Sequence, residues 1–351
     1  MNILMIRSDL KLAGPGVSIY RLSYQLRQSG HNVVIISSGG ALSEKMREEG
    51  FSVYEIEGLG VGRRSILAVL RCILSIRKVL AEERIEVVHS HNMISTILTR
   101  LASFGFGLSR RRFFTSIHGK GKEWLFRYVP GTLVGVSQDQ LKYVRQHAPH
   151  KRTYCLYSSN SWISQTSRTA DITRPLRLIS VGHFTGLKGQ DRLVEVADVL
   201  RNRGINFTLS MVGDGPALSD IRSKIISMGL EDQITLLGEQ SNIRALLEEH
   251  DIFVHLPDYE TFGIVCQEAL CSGLPVVASK VGGIPEIVAD SSFGILVDMN
   301  QEQSIARVAD AIIEFSDPDR YAAASVLSIE HAKTFSPDHI LPQLIQTYRA
   351  A

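Results

Sequence analysis

The sequence is poor in cysteine. Cys72, Cys155, Cys266 and Cys271 are its only four, scattered and without a CxxC pair. That argues against a disulfide framework and against a cysteine-based zinc module, and it fits a reducing compartment. Nor does the chain hold a run of about 18 apolar residues, the length that crosses a bilayer, so no membrane-spanning helix is expected. The apolar stretch Ile3–Ile6 is cut off by Arg7 and Asp9, which is too short for the core of a secretion signal and reads as a first β-strand. Repeats and low-complexity tracts are missing, and no nucleic-acid-binding module is recognisable. The expected setting is cytoplasmic, with peripheral contact to the inner face of a membrane.

What is present is ordinary globular material in sufficient quantity for two cores. The 351 residues are 44% apolar and 21% charged, and a chain of that length divides more easily into two domains than one. Short apolar runs alternate with helical patterns throughout. In the first half the strand candidates are Ile3–Ile6, Val33–Ile36, the flanks of Val87 and Val88, Phe113–Ile117 and Leu133–Val136. In the second they are Leu176–Val181, Phe207–Val212, Ile234–Leu237, Ile252–His255 and Pro275–Ala278. Helical spacing separates them, as in Ile19, Leu22 and Leu26, or in Leu193–Leu200. Strand–helix alternation predicts parallel sheets with helices on both faces. The stretch Ser158–Arg174 is rich in Ser and Thr and aperiodic, so it reads as a linker. The expected architecture is therefore α/β, two doubly wound Rossmann-like domains facing across a cleft. Residues 1–165 would form the first and 166–335 the second, with 336–351 a terminal helix packing back toward the first. Ligands in such folds bind beyond the carboxyl ends of the strands.

Charge is distributed unevenly. Residues 1–170 carry 24 Lys and Arg against 11 Asp and Glu, and the remainder carry 14 against 25. A net +13 half suggests an anionic partner. Arg63, Arg64, Arg71, Arg77 and Lys78, with Arg110, Arg111 and Arg112, interleave with Leu67, Leu70, Leu74, Phe104, Phe106, Phe113 and Phe114. Basic residues among apolar ones suit an anionic membrane surface. A helix that simply covers the sheet is the alternative.

The segment Asp258-Tyr-Glu-Thr-Phe-Gly-Ile-Val-Cys-Gln-Glu268 carries the clearest chemistry. It follows a strand, places Glu260 in a loop, turns at Gly263 and enters a helix at Ile264. A helix start presents free amides and a positive dipole end, which suit phosphate. Glu268 can offer two carboxylate oxygens to a ribose diol, and Glu260 can reach a sugar beyond the phosphates.

This Glu-x7-Glu pattern resembles family 4 of the retaining glycosyltransferases, which have the GT-B fold. The resemblance runs on through Ala269-Leu-Cys-Ser-Gly-Leu-Pro-Val-Val-Ala-Ser279 and Gly282-Gly-Ile-Pro-Glu286. Upstream it takes in Val181-Gly-His-Phe-Thr-Gly-Leu-Lys188-Gly189, Val212-Gly-Asp-Gly-Pro216 and Leu237-Gly238. By that resemblance Glu268 would hold the ribose and Glu260 the donor sugar hydroxyls. The amides of Phe262, Gly263 and Ile264 would lie beside the sugar and diphosphate, and Lys188 would neutralise charge on the leaving diphosphate. His183 stands where the family usually has arginine, and would donate to phosphate. In the first half Gly16, in Gly14-Pro15-Gly16, resembles the family's glycine loop, and His118, in Ser116-Ile-His-Gly119, resembles a histidine near the donor sugar. For His89 and His91 a structural role is expected.

No metal site is expected. Asp317-Pro-Asp319 matches an Asp-x-Asp pattern but lies between helices and reads as a turn. The resemblance implies sugar transfer to an acceptor hydroxyl with the anomeric configuration kept. No cofactor would be needed. The donor would be a nucleoside diphosphate sugar, a UDP-sugar by preference, and the acceptor a saccharide or lipid-linked molecule in polysaccharide or glycolipid assembly. The rivals are another GT-B activity, such as a phosphorylase or sugar-nucleotide epimerase, and an inactive homologue acting as a binding partner.

Overall fold

The computed structural model describes residues 1–11, 14–60, 65–104, 111–121, 123–169 and 173–350. Of the basic cluster, Arg63, Arg64, Phe106 and Arg110 fall outside these. The chain divides into two units, Met1–Ser161 with Pro337–Ala351, and Trp162–Ser336.

The first unit runs β1 (Asn2–Ile6), α1 (Gly14–Gln28), β2 (Asn32–Ser37), α2 (Ala41–Glu48), β3 (Ser52–Glu55), α3 (Ile66–Glu82), β4 (Val87–Ser90), α4 (Met93–Ala102), β5 (Arg112–Ile117), β6 (Thr132–Gly135), α5 (Gln138–His147) and β7 (Thr153–Cys155). The strands form one parallel sheet in the order β3-β2-β1-β4-β5-β6-β7. The side-chain period of two explains its layers. Ile3 and Met5 of β1 join Ile19, Leu22 and Leu26 of α1 on one face. Leu4 and Ile6 join Cys72, Ile76, Val79 and Leu80 of α3 on the other. Side-chain caps start the helices cleanly. Ser65 accepts from the Ala68 amide, Asn92 from Ser95 and Ser137 from Gln140.

The second unit runs β8 (Leu176–Val181), α6 (Gln190–Asn202), β9 (Phe207–Val212), α7 (Leu218–Ser227), β10 (Ile234–Gly238), α8 (Ile243–Glu249), β11 (Ile252–His255), α9 (Ile264–Cys271), β12 (Val276–Ser279), α10 (Ile284–Ile287), β13 (Gly294–Val297), α11 (Ser304–Glu314) and α12 (Pro318–Ala332). Its sheet is also parallel, in the order β10-β9-β8-β11-β12-β13. The closing helix α13 (Pro337–Ala350) belongs to the first unit, where Ile340, Leu341, Leu344 and Tyr348 join the α1 side of the core. The chain passes from one unit to the other at Ser161–Trp162, and beyond that point the Ser/Thr-rich segment is held by the second unit, the Ser164 amide on the Cys271 carbonyl at 2.8 Å and Arg168 on the Leu247 carbonyl at 3.2 Å.

Strand order reverses between β1 and β4 in one sheet and between β8 and β11 in the other. Such reversals splay the following loops apart and open a crevice. The sequence reading had ten strands; the structure adds β3, β7 and β13, each at a sheet edge. Among the described residues, no helix is long and apolar enough to cross a membrane.

Candidate functional site

In the second unit, the loops after β8 and β11 flank the strand-order reversal, and these carry the motif residues. Asp258 donates its amide to the Leu187 carbonyl at 3.0 Å, tying one loop to the other. Arg192 of α6 strengthens the tie, reaching the Leu256 carbonyl at 3.2 Å and the Asp258 carboxylate at 2.6 Å. Held in this way, Lys188 meets Glu260 in an ion pair, Nζ to Oε2 at 2.7 Å. The other Glu260 oxygen accepts the Thr261 amide at 3.0 Å.

His255, which ends β11, brings its Nε2 to 3.5 Å from Glu260 Oε2, where its ring faces the carboxylate. Burial alone would raise the Glu260 carboxyl, but His255 and Lys188 overcome it and bring the pKa down to about 2. The carboxylate is thus charged at any working pH. Burial holds the neighbouring His255 below its usual range, so the imidazole is neutral. Burial, then the Glu260 charge, pushes the Cys266 thiol well above its usual range, which removes it as a nucleophile.

Gly282 makes the loop position possible. It sits at φ +53°, and a Cβ there would lie 1.7 Å from the Glu260 carbonyl oxygen. The Gly-Gly pair that continues the motif is a steric seat for the Glu260 backbone, whose carbonyl also accepts from the Gly283 amide at 3.3 Å.

Gly263, in the left-handed region at φ +103°, is the N-cap of α9. As at other helix starts, the first amides have no carbonyl a full turn back to bind, and that of Cys266 turns instead to the Gly263 carbonyl at 2.9 Å. On α9, Cys266, Gln267, Ala269, Leu270 and Cys271 are buried, leaving Ile264, Val265 and Glu268 partly open. Glu268 lies one turn beyond Ile264 on the same face, and helical side chains lean toward the N-terminus. The Phe262 ring is buried against Phe335, so this residue has only its backbone to offer a ligand. His183 has an exposed side chain, while its carbonyl accepts from Gln190 Nε2 at 3.2 Å. The second unit thus gathers Lys188 and Glu260 directly and carries Phe262, Gly263, Ile264 and Glu268 on the adjoining helix start.

Gly16 and His118 are carried by the other unit. Gly16 is buried in the first turn of α1, and a Cβ there would meet the Lys11 carbonyl at 2.1 Å. Its glycine requirement is accounted for by that close approach within the chain. His118 follows β5 and joins a row of three imidazoles at the ends of β4 and β5. The rings of His89 and His91 stack at 4.5 Å between centroids, and those of His91 and His118 at 5.4 Å. His91 Nδ1 is 3.1 Å from His118 Nε2. His89 has a hydroxyl at each nitrogen, Tyr348 at 2.5 Å and Ser116 at 2.8 Å. Burial brings the His89 and His118 pKa values down to about 3, with the Arg7 charge assisting at His118, and drives His91 well below its usual range. All three are neutral imidazoles. His255 and Tyr348 are not legible as site residues in the sequence, because one lies in an apolar run and the other in a helix where core packing is the simpler inference, and Arg7 shows there only as the charge that ends the first strand.

Part of the predicted basic face is corrected. Phe113 and Phe114 are core residues of β5, 5% and 0% exposed. Arg111 spends its guanidinium on the Leu80 and Ile85 carbonyls, and Arg112 binds the Tyr348 carbonyl. These groups close the end of a helix and pin α13. Asp317 is a helix N-cap, accepting from the Arg320 amide at 2.8 Å. No group of His, Cys, Asp or Glu among the described residues is arranged to hold a metal ion.

The chain matches the family described as glycosyl transferases group 1 over residues 166–324, and glycosyltransferase family 4 over residues 12–165. It is 25% identical, over 84% of its length and 83% of the relative, to N-acetyl-alpha-D-glucosaminyl L-malate synthase of Bacillus anthracis. It is 26% identical, over 79% of its length and 67% of the relative, to the phosphatidylinositol N-acetylglucosaminyltransferase GPI3 subunit of Saccharomyces cerevisiae. In fold it is similar to Anabaena HepE in complex with UDP and glucose, with a TM-score of 0.82, 19% identity and full coverage of both chains. Motif, double sheet and family matches agree: the chain belongs to the family 4 glycosyltransferases, with the GT-B fold.

Proposed function

We propose that the protein transfers a sugar from a UDP-sugar to an acceptor hydroxyl with retention of anomeric configuration and without a metal ion. The observation that carries this reading is the Lys188–Glu260 pair at 2.7 Å beside the start of α9. A diphosphate set against the amides of Phe262, Gly263 and Ile264 would draw on the helix dipole and on Lys188, two sources of positive charge. Glu268 would hold the ribose diol, Glu260 a donor sugar hydroxyl, and His183 a phosphate oxygen. In the first unit, Gly16 would let the chain start α1 close to substrate, and His118, neutral, would exchange hydrogen bonds with a sugar hydroxyl.

In the transfer, the bond from C1 to the diphosphate oxygen breaks and the acceptor oxygen bonds to C1 on the same face. The acceptor proton leaves with the diphosphate, and UDP is released. Glu260 is already engaged by Lys188, so it serves as a charge and hydrogen-bond partner, and no covalent sugar intermediate is invoked. The second unit would bind donor and the first the acceptor. UDP with glucose in the Anabaena protein supports a UDP-sugar donor, and the named activities of the bacterial and yeast relatives support sugar transfer. The acceptor would be a polysaccharide or glycolipid precursor presented at the inner face of a membrane.

The test is a thermal-shift screen of nucleoside diphosphate sugars, followed by acceptor-dependent UDP release and NMR of the product anomer. Stabilisation by UDP-sugars and a retained anomer are expected. An inverted product would overturn retention. Sugar phosphate or epimerised donor in place of UDP would point to a phosphorylase or epimerase.

A further inference from the structure

Nine of the fourteen large apolar side chains exposed among the described residues lie on three neighbouring elements of the first unit: α3, α4 with Phe104 two residues beyond it, and the 3-10 turn Glu123–Tyr128. α3 packs along α4, and α4 touches the 3-10 turn. The sheet side of α3 is complete without them, since Cys72, Ile76, Val79 and Leu80 are all buried. The opposite side opens with Ile66, Leu67, Leu70 and Leu74, which are 80%, 65%, 50% and 63% exposed. Positions 67, 70 and 74 fall in one helical stripe. Leu101 near the end of α4, Phe104 just past it, and Trp124 and Tyr128 on the 3-10 turn are exposed as well. An apolar patch on this scale marks an interaction surface.

The charges identify the partner. Arg71 and Lys78 are exposed on the outer side of α3, Arg100 lies over the Phe104 ring at 5.8 Å, and Arg127 over the Tyr128 ring at 5.9 Å. The acidic residues here are Glu82, which pairs with Lys78 at 3.8 Å, its neighbour Glu83, and Glu123. The unit as a whole carries 24 Lys and Arg against 12 Asp and Glu. A second copy of the same face would set cation against cation. A bilayer with anionic headgroups instead pairs with the cations, admits the leucines below the headgroups and holds Trp and Tyr at the interface.

We infer that the outer face of α3, continued by Leu101, Phe104, Trp124 and Tyr128, is a docking surface for an anionic lipid bilayer. It rests on the reading of the acceptor as membrane-presented, and it replaces the Arg110–Arg112 cluster as the contact. The bilayer would then hold the first unit where a lipid-linked acceptor arrives, with no spanning helix required.

The test is co-sedimentation of the full chain with vesicles of phosphatidylcholine alone, or mixed with phosphatidylglycerol. The wild-type protein should pellet with the mixed vesicles and release as salt rises. Replacing Leu67, Leu70 and Leu74 by Ser should lower its partitioning about 100-fold, because each leucine gives up roughly half of its apolar area. Pelleting of the triple variant like the wild type, or of neither protein, would overturn the inference. So would a dimer in sedimentation velocity without lipid that the variant loses, which would give the face to a second copy. UDP affinity, measured alongside, should be the same in both proteins. A wild-type chain that ignores UDP yet binds vesicles would instead contradict the glycosyl-transfer reading, leaving the surface standing.

Discussion

The row of buried histidines makes the first unit sensitive to mild acid. His89 and His118 are brought down to about 3 by burial, and His91 lies well below its usual range. In the unfolded chain each would titrate near 6.5. Between those values the unfolded state binds protons that the folded state refuses, so stability is full above about 6.5 and falls as pH drops toward about 3. At about pH 5, a histidine displaced in this way costs roughly 2 kcal/mol, being 1.5 pH units at 1.36 kcal/mol each. His89 and His118 together cost about 4 kcal/mol, and His91 adds a third contribution of the same sign. That is a large share of the roughly 5–15 kcal/mol that holds a domain folded. The second unit's Glu260 behaves oppositely in range: its carboxyl, at about 2, supplies stability that is present above its ordinary 4.5 and lost only below it. Urea unfolding between about pH 8 and pH 5 should therefore show the first unit losing stability as pH falls, while His250, His255 and His331, lowered by burial in the same direction, add a loss in the second. Substituting Asn for His91 should flatten that dependence. A first unit equally stable across this range, or an unchanged slope in the His91 variant, would refute the reasoning.

Tyr348→Phe should destabilise the first unit by about 1–3 kcal/mol, since His89 Nδ1 is left buried without its hydroxyl, and a thermal melt would register it. Gly282→Ala forces a Cβ against the Glu260 carbonyl, so Glu260 must move; turnover should collapse while circular dichroism retains the helical signal. Glu268→Ala should weaken UDP binding by roughly 1.5–3 kcal/mol in calorimetry, the worth of a charge-assisted contact to two hydroxyls. Unchanged affinity would remove Glu268 from the ribose role.

The core of both sheets was legible because central strands are buried on both faces and read as unbroken apolar runs. β3 and β7 were not, for the same reason reversed: they are edge strands without an apolar run, whereas the edge strand β10 was legible and β13 was missed although it carries the short run Ile295-Leu296-Val297. Ser52–Glu55 alternates only weakly and Thr153–Cys155 is half-buried along its length, so neither carries an apolar run. The site loops were legible through their motif, but the motif names residues and not their partners. His255 reads as one more strand residue, and only the fold brings it to Glu260. Gly282 and Gly16 stood out in the sequence, yet the close approach that demands each glycine is a tertiary fact. Part of the basic cluster misled for a related reason. Arg111 and Arg112 look like surface charge in one dimension, whereas in the fold their guanidiniums satisfy carbonyls at a helix end. α3 reads ambiguously as well, since apolar residues on both of its sides blur the stripe that would say which one faces the sheet.

The central claim is that the Lys188 ammonium stabilises charge developing on the diphosphate as the sugar leaves. Steady-state turnover of the UDP-sugar found by screening, in Lys188→Ala beside wild type and with UDP affinity measured on both, tests it directly. The account predicts a kcat lower by about 100-fold or more, with a much smaller change in UDP affinity, as expected when an interaction matters most in the transition state. Near-normal turnover, or a loss confined to UDP binding, would contradict it.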